Sequence, residues 1–391
     1  MENRPIYLDN SATTQMCDEA VRAYVDAATK HYGNPSSLHG IGVDAEHIME
    51  DARREIMRSL YAAGGHIIFT ASGTEANNLA ILGRARAKER FRNGARIIIS
   101  AGEHPSVGEP AKLLESEGYS VMKISTAGGV LDLSELEAAL SRDTVLVSIM
   151  LVNNETGAVY NIPEVAKFIK RKAPDAYLHV DATQGYLKFP FSPSGLGADM
   201  ITVSAHKVHG PKGIGALYLS ERVRTERGIA PVIYGGGQES GIRSGTENVA
   251  AIAAFGAAVR VGFDTLRENN ARISMLRERL IGGIKKTEAL SELNIAEPPM
   301  HAPHIISITL PSIKSETMLH YLSSEGIYVS SGSACSSNSG HKSEALIAYG
   351  RSEAEADYTI RVSLSHTNTE EDIDELLRAL ERGLSKLVRL K

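Results

Sequence analysis

The chain has 391 residues, 42% hydrophobic and 23% charged, with 42 Lys plus Arg against 47 Asp plus Glu and a net charge of −5. This is the composition of an ordinary globular protein, long enough for two domains or one large α/β body with an appendage, and without the basic stripe of a nucleic-acid binder. Two cysteines, Cys17 and Cys335, exclude a disulfide framework and a four-thiolate metal site, the apolar run Val249 to Val259 falls short of the about 20 residues a membrane span needs, and Met1 to Pro5 shows no apolar signal region, so a cytoplasmic location is expected.

Short β-branched runs alternate with amphipathic stretches through the middle of the chain. Residues 67–70, 96–100, 119–124, 144–150, 176–180, 199–204 and 215–219 read as strands. Residues 76–88, 106–117, 133–140 and 163–172 read as helices, the last with Pro in its first turn. Such alternation predicts an α/β fold with a mostly parallel sheet covered by helices. From Thr246 to about Lys286 the period is helical throughout, which predicts one long helix linking a large domain to a smaller one. Strands follow at 305–310 and 360–364, then a helix capped by Thr369 with Ile373, Leu376, Leu377, Leu380 and Leu384 as its buried stripe. The expected division is a large domain over 16–262, and a smaller α+β domain made of 1–15 and 263–391.

Ligands of parallel α/β sheets sit beyond the carboxyl ends of the strands, and the residues there are polar. Strand 67–70 runs into Ser72-Gly73-Thr74-Glu75, which suits either a capping box or an anion cradle at a helix start. Strand 96–100 leads to Glu103-His104, and strand 144–150 to Asn153-Asn154-Glu155-Thr156-Gly157. Strand 176–180 leads to Asp181-Ala182-Thr183-Gln184, where Asp181 is either a helix cap or a buried carboxylate awaiting a cation. Strand 199–204 ends in Ser204-Ala205-His206-Lys207, followed by His209-Gly210-Pro211-Lys212-Gly213. A lysine there suits Schiff-base chemistry. Lysine, aspartate and a helix-end anion site are an imine partner, a pyridinium partner and a phosphate site, the three requirements of pyridoxal 5'-phosphate. Arg243-Ser244-Gly245-Thr246 beside a triple glycine suits a phosphate contact or a helix cap. Cys335 lies in the small, polar stretch from Ser330 to Gly340, where an accessible thiol is a candidate nucleophile; Cys17 reads as structural.

The lysine and cysteine loops resemble those of cysteine desulfurases of the NifS/IscS type, which are class-V aminotransferase-like, fold-type I enzymes. The segments Tyr7 to Thr14, Tyr32 to Ser37, Asn153 to Gly157, His179 to Gln184, Arg243 to Thr246 and Ser331 to Cys335 match in the family's order. The resemblance implies that Lys207 binds pyridoxal 5'-phosphate covalently and moves the Cα proton. It implies that Asp181 holds the pyridine nitrogen protonated, and that His104 stacks on the ring. Gln184 would meet the phenolic oxygen, and Gly73, Thr74, Ser204 and His206 the phosphate. Thr246 would reach the phosphate of a second subunit, which implies a homodimer. Asn154 and Arg361, with Asn34 beside them, would hold the carboxylate of L-cysteine, and Cys335 would receive its sulfur for an acceptor such as an iron–sulfur scaffold. A selenocysteine lyase and an aminotransferase are the competing enzyme readings, and an aminotransferase needs no thiol. A non-catalytic scaffold would need neither Lys207 nor Asp181.

Overall fold

The computed structural model describes residues 4–88, 94–331 and 343–387. Its main sheet has seven strands in the spatial order His66–Thr70, Gly215–Leu219, Met200–Ser204, Tyr177–Asp181, Thr144–Met150, Arg96–Ser100 and Ser120–Ile124. Only Gly215–Leu219 runs antiparallel to its neighbours, so the sheet is mostly parallel, as the α/β alternation predicts. Thr144–Met150 is buried along its whole length, which explains its unbroken apolar reading.

Side chains alternate between two cores. Ile67, Ile98, Val147 and Leu178 pack with Ile56, Ile162 and Phe255 on one face. Ile68, Ile97, Leu146 and Tyr177 pack with Leu79, Ala80 and Leu114 on the other. The helices Asp18–Lys30 and Gly40–Ser59 carry little sequence signal because much of what they bury is small: Ala20 and Ala27 in one, Ala45 and Ala52 in the other.

The expected long helix is two: Val249–Asp264 and Leu266–Lys286, bent by 72° where they meet at Thr265. Each half joins a different core. Val249, Ile252 and Phe255 belong to a core of the main sheet, whereas Ile273, Leu276, Leu280 and Ile284 belong to a third core with Leu376 and Leu380. The helical period runs unbroken through Thr265, so the bend is a tertiary decision that composition does not announce.

The third core is built on an antiparallel four-stranded sheet, in the order Ser330–Ser331, Thr359–Ser363, Ile305–Thr309 and Asn294–Ile295. Strand Ile6–Tyr7 pairs in parallel with Ile327–Tyr328, and Leu8 joins this core. Thr369 caps the helix Glu370–Lys386, with Asp372 completing a capping box. Leu377 is only partly buried; the other four residues of the expected stripe are buried. No single helix among the described residues is long and apolar enough to cross a membrane.

Candidate active site

The carboxyl ends of three neighbouring parallel strands bring the predicted groups together. Asp181 is the last residue of Tyr177–Asp181 and is buried. Its Oδ2 accepts from Asn77 Nδ2 at 2.8 Å and its Oδ1 from the Thr183 amide at 2.9 Å. Both donors are neutral, and no cation pairs with Asp181 among the described residues. A buried carboxylate with neutral donors only can still gain from a cationic partner. Asn77, in the helix Gly73–Arg86, also donates to Ser106 Oγ at 2.8 Å, and Ser106 Oγ bonds His104 Nδ1 at 2.8 Å. The chain Asp181–Asn77–Ser106–His104 therefore fixes the imidazole relative to the carboxylate. Burial lowers the His104 pKa; the Asp181 charge opposes this and the Lys207 charge adds to it.

Lys207 follows strand Met200–Ser204 on a single 3-10 turn. Its Nζ donates to the carbonyls of Ser11 at 2.5 Å and Ala12 at 2.8 Å. Gln184 Nε2 donates to the same Ser11 carbonyl at 3.0 Å. His206 Nδ1 meets Thr13 Oγ1 at 3.2 Å, and its carbonyl accepts from Thr14. Burial and the charges of Lys207 and Lys212 push the His206 pKa down to about 4. The segment Asp9–Thr14 thus ties the lysine loop to the N-terminal strand, a set of contacts across nearly two hundred residues of chain that spacing does not reveal.

The helix Gly73–Arg86 points its N-terminus at this cluster. Ser72 caps it by accepting from the Glu75 amide at 3.1 Å. A Cβ on Gly73 would lie 3.3 Å from Ser204 Cβ and from Thr183 Oγ1, so glycine admits the close approach of helix start and strand end. Ser204 Oγ is buried and has no hydrogen-bond partner, and Thr74 is exposed beside it in sequence to Gly73. An orphan hydroxyl at a helix N-terminus is the donor set an anionic phosphate needs. Of the two sequence readings of Ser72 to Glu75, the cap is seen directly, and it leaves the helix N-terminus and the Ser204 hydroxyl open. Arg243 pairs with Glu75 at 2.7 Å, and the cap of the following helix is Asn248.

Arg361 lies mid-strand and buried, donating to the Asn154 carbonyl and to Asp9 Oδ1, each at 3.0 Å. Asn154 and Arg361 are therefore neighbours, as expected. Asn34 is not with them: it is exposed, its Oδ1 accepts from the Ser36 amide at 2.9 Å, and among the described residues it bonds none of these groups. Thr246 is likewise exposed, on the loop before Val249–Asp264, and bonds none of them. Cys335 lies outside the described residues. Ser343, beyond it in the chain, donates to Glu155 Oε2 at 2.5 Å, so the Asn153–Gly157 loop holds the chain just after that segment. Cys17 is half-buried against Ala20, Ala254 and Ala258, and burial raises its thiol pKa, in keeping with its structural reading.

Glu103 is a further buried acid, bonded to Ser100 and accepting from the Met150 amide at 2.8 Å. Burial pushes its pKa up to about 8. A carboxyl raised above its unfolded value stabilises fully below that value and loses its contribution as pH rises through the folded pKa. Between pH 6 and 8 the protein should lose roughly 2–3 kcal/mol of stability that Glu103→Gln, a neutral isostere, does not lose, at about 1.4 kcal/mol per pH unit. Denaturant titrations of both proteins at the two pH values check this; parallel pH slopes would contradict it.

A strand-end lysine, a buried acid and an open helix N-terminus thus stand together at one end of this sheet. The chain belongs to the Aminotransferase class-V family, which matches residues 6–376. Within it the chain is similar to cysteine desulfurase IscS 1 of Archaeoglobus fulgidus, with 38% identity over 382 residues and 97% of each chain covered. Among solved structures it is similar to a NifS-like protein, with TM-score 0.90, 35% identity, 98% of this chain and 100% of that one covered. It is also similar to SspA in complex with cysteine, with TM-score 0.78, 30% identity, and coverage of 93% and 99%.

Proposed function

We propose that this protein is a pyridoxal 5'-phosphate-dependent cysteine desulfurase, which converts L-cysteine to L-alanine and passes the sulfur to Cys335 as a persulfide. The observation that carries the reading is the convergence of Lys207, Asp181 and the Gly73–Ser204 cradle at one end of the sheet, in a chain related throughout its length to cysteine desulfurases. The residues fit the cofactor: Ser204 Oγ is an orphan donor for the phosphate, and Asp181 lacks a cation. When bound, pyridoxal 5'-phosphate supplies an electron-withdrawing ring that accepts the electron pair released at the substrate Cα.

The chain's residues do the rest. Asp181 holds the proton on the ring nitrogen, and Asn77 and Thr183 hold Asp181. Lys207 carries the Cα proton, from a pocket where the Ser11 and Ala12 carbonyls orient its amine. His104, held by Ser106, would stack on the ring and shield it from water. Gln184 would meet the phenolic oxygen, and Gly73, Thr74, Ser204 and His206 would hold the phosphate. Arg361 and Asn154 hold the substrate carboxylate. The Cys335 thiolate attacks the substrate sulfur; a sulfur–sulfur bond forms, and the bond from Cβ to sulfur breaks with its electron pair left on carbon.

The protein acts as a homodimer in the cytoplasm, and an acceptor protein, such as an iron–sulfur scaffold, takes the sulfur. Exposed apolar side chains at Tyr32, Leu38 and Tyr234 support the dimer, Leu38 being 99% exposed in the single chain. The exposed Thr246 is free to serve the partner's site. The two hydrophobic cores flanking Thr265 support a large and a small domain. Exchange of the L-alanine Cα proton in deuterium oxide, followed by NMR, tests the proton step. Asp181→Ala should slow it about 100-fold or more, and unchanged exchange would contradict the role of Asp181.

A further inference from the structure

We propose that Asp9 is the positioning residue that sets the Arg361 guanidinium for the substrate's α-carboxylate. The inference rests on the functional reading above for Arg361, and extends it to a residue that acts through the arginine without touching the substrate.

Arg361 sits in the buried strand Thr359–Ser363, with 4% of its surface exposed. A guanidinium is a rigid planar fork with five donors. Two of its corners are occupied by different parts of the chain: Nη2 by Asp9 Oδ1 and Nη1 by the Asn154 carbonyl, each at 3.0 Å. These two contacts fix the plane. The remaining nitrogen, Nε, is buried and has no partner among the described residues. Leaving such a donor unmade is costly, and a carboxylate repays it with charge-assisted bonds to a fork already oriented.

Asp9 is itself clamped to the strand it serves. It forms a parallel bridge with Ser363; the Ser363 amide donates to the Leu8 carbonyl at 2.7 Å, and Asn10 donates back to the Ser363 carbonyl. Tyr7 Oη shares its one hydrogen between the Thr13 carbonyl at 2.9 Å and the Asp9 carbonyl at 3.1 Å. Burial raises the Asp9 pKa, opposed by Arg361 and Lys207, whose charges favour the carboxylate. The same short segment supplies the Ser11 and Ala12 carbonyls to Lys207, so the carboxylate site and the amine site share one rigid support.

The test compares two ligands of the holoenzyme by the change each makes in its visible absorption: L-alanine, which carries the carboxylate, and cysteamine, which does not. Asp9→Ala should weaken L-alanine about tenfold or more and leave cysteamine within about twofold, the loss expected for a charge-assisted bond. With L-cysteine the same variant should raise KM with kcat little changed. Asp9→Asn, which keeps an acceptor oxygen, should recover part of the loss, and it decides the matter if the alanine variant does not fold. Equal weakening of both ligands in either folded variant, or of neither, would overturn the proposal. A wild type that releases no sulfide from L-cysteine but shows this split would sink the desulfurase reading and leave the role of Asp9 standing.

Discussion

Lys207→Ala is expected to abolish turnover of L-cysteine, with a fall of about 10⁴-fold or more, because one side chain supplies both the covalent anchor and the proton carrier. Among the described residues no other amine stands in this cluster. Lys212, the other lysine of that loop, is exposed, and the His206 imidazole is held neutral by burial, its pKa at about 4. The fold should survive, because Lys207 packs in none of the hydrophobic cores. Steady-state alanine production, with circular dichroism to confirm the fold, measures this. Activity within tenfold of wild type would remove Lys207 from the mechanism.

Cys335→Ala is expected to retain the cofactor and lose sulfide release to the detection limit. The two halves of that expectation come from different parts of the chain: the cofactor groups lie at the ends of the main sheet, and the thiol lies in the segment between Ser331 and Ser343. Cys17 cannot stand in. It packs against alanines and has a thiol pKa raised by burial, so its thiolate population is low where a nucleophile is needed. Exchange of the Cα proton should continue in this variant, since that step uses Lys207 and Asp181. Loss of exchange together with loss of sulfide would assign Cys335 a role in the proton step instead of sulfur capture.

Much of the order of strands and helices from Ile67 to Leu219 was legible because most of the strands are short β-branched runs bounded by polar residues. The placement of Asp181, Ser204 and Lys207 was legible for the same reason: they stand at strand ends, where local sequence marks the boundary. What local sequence cannot carry is contact at long range. Asn77 reads as one polar residue in an apolar helix, yet it joins Asp181 to Ser106. Asp9 and the Ser11 carbonyl meet partners nearly two hundred or more positions away. The bend at Thr265 needed two separate cores to pull one helical pattern apart. Arg243 was spent on Glu75, a pairing that only the fold creates.

The most direct test is alanine and sulfide production from L-cysteine with a thiol reductant, measured with wild type and Cys335→Ala side by side. The account predicts equal alanine and sulfide from the wild type and neither from the variant. A keto acid in place of alanine, or sulfide release that survives the loss of Cys335, would contradict it.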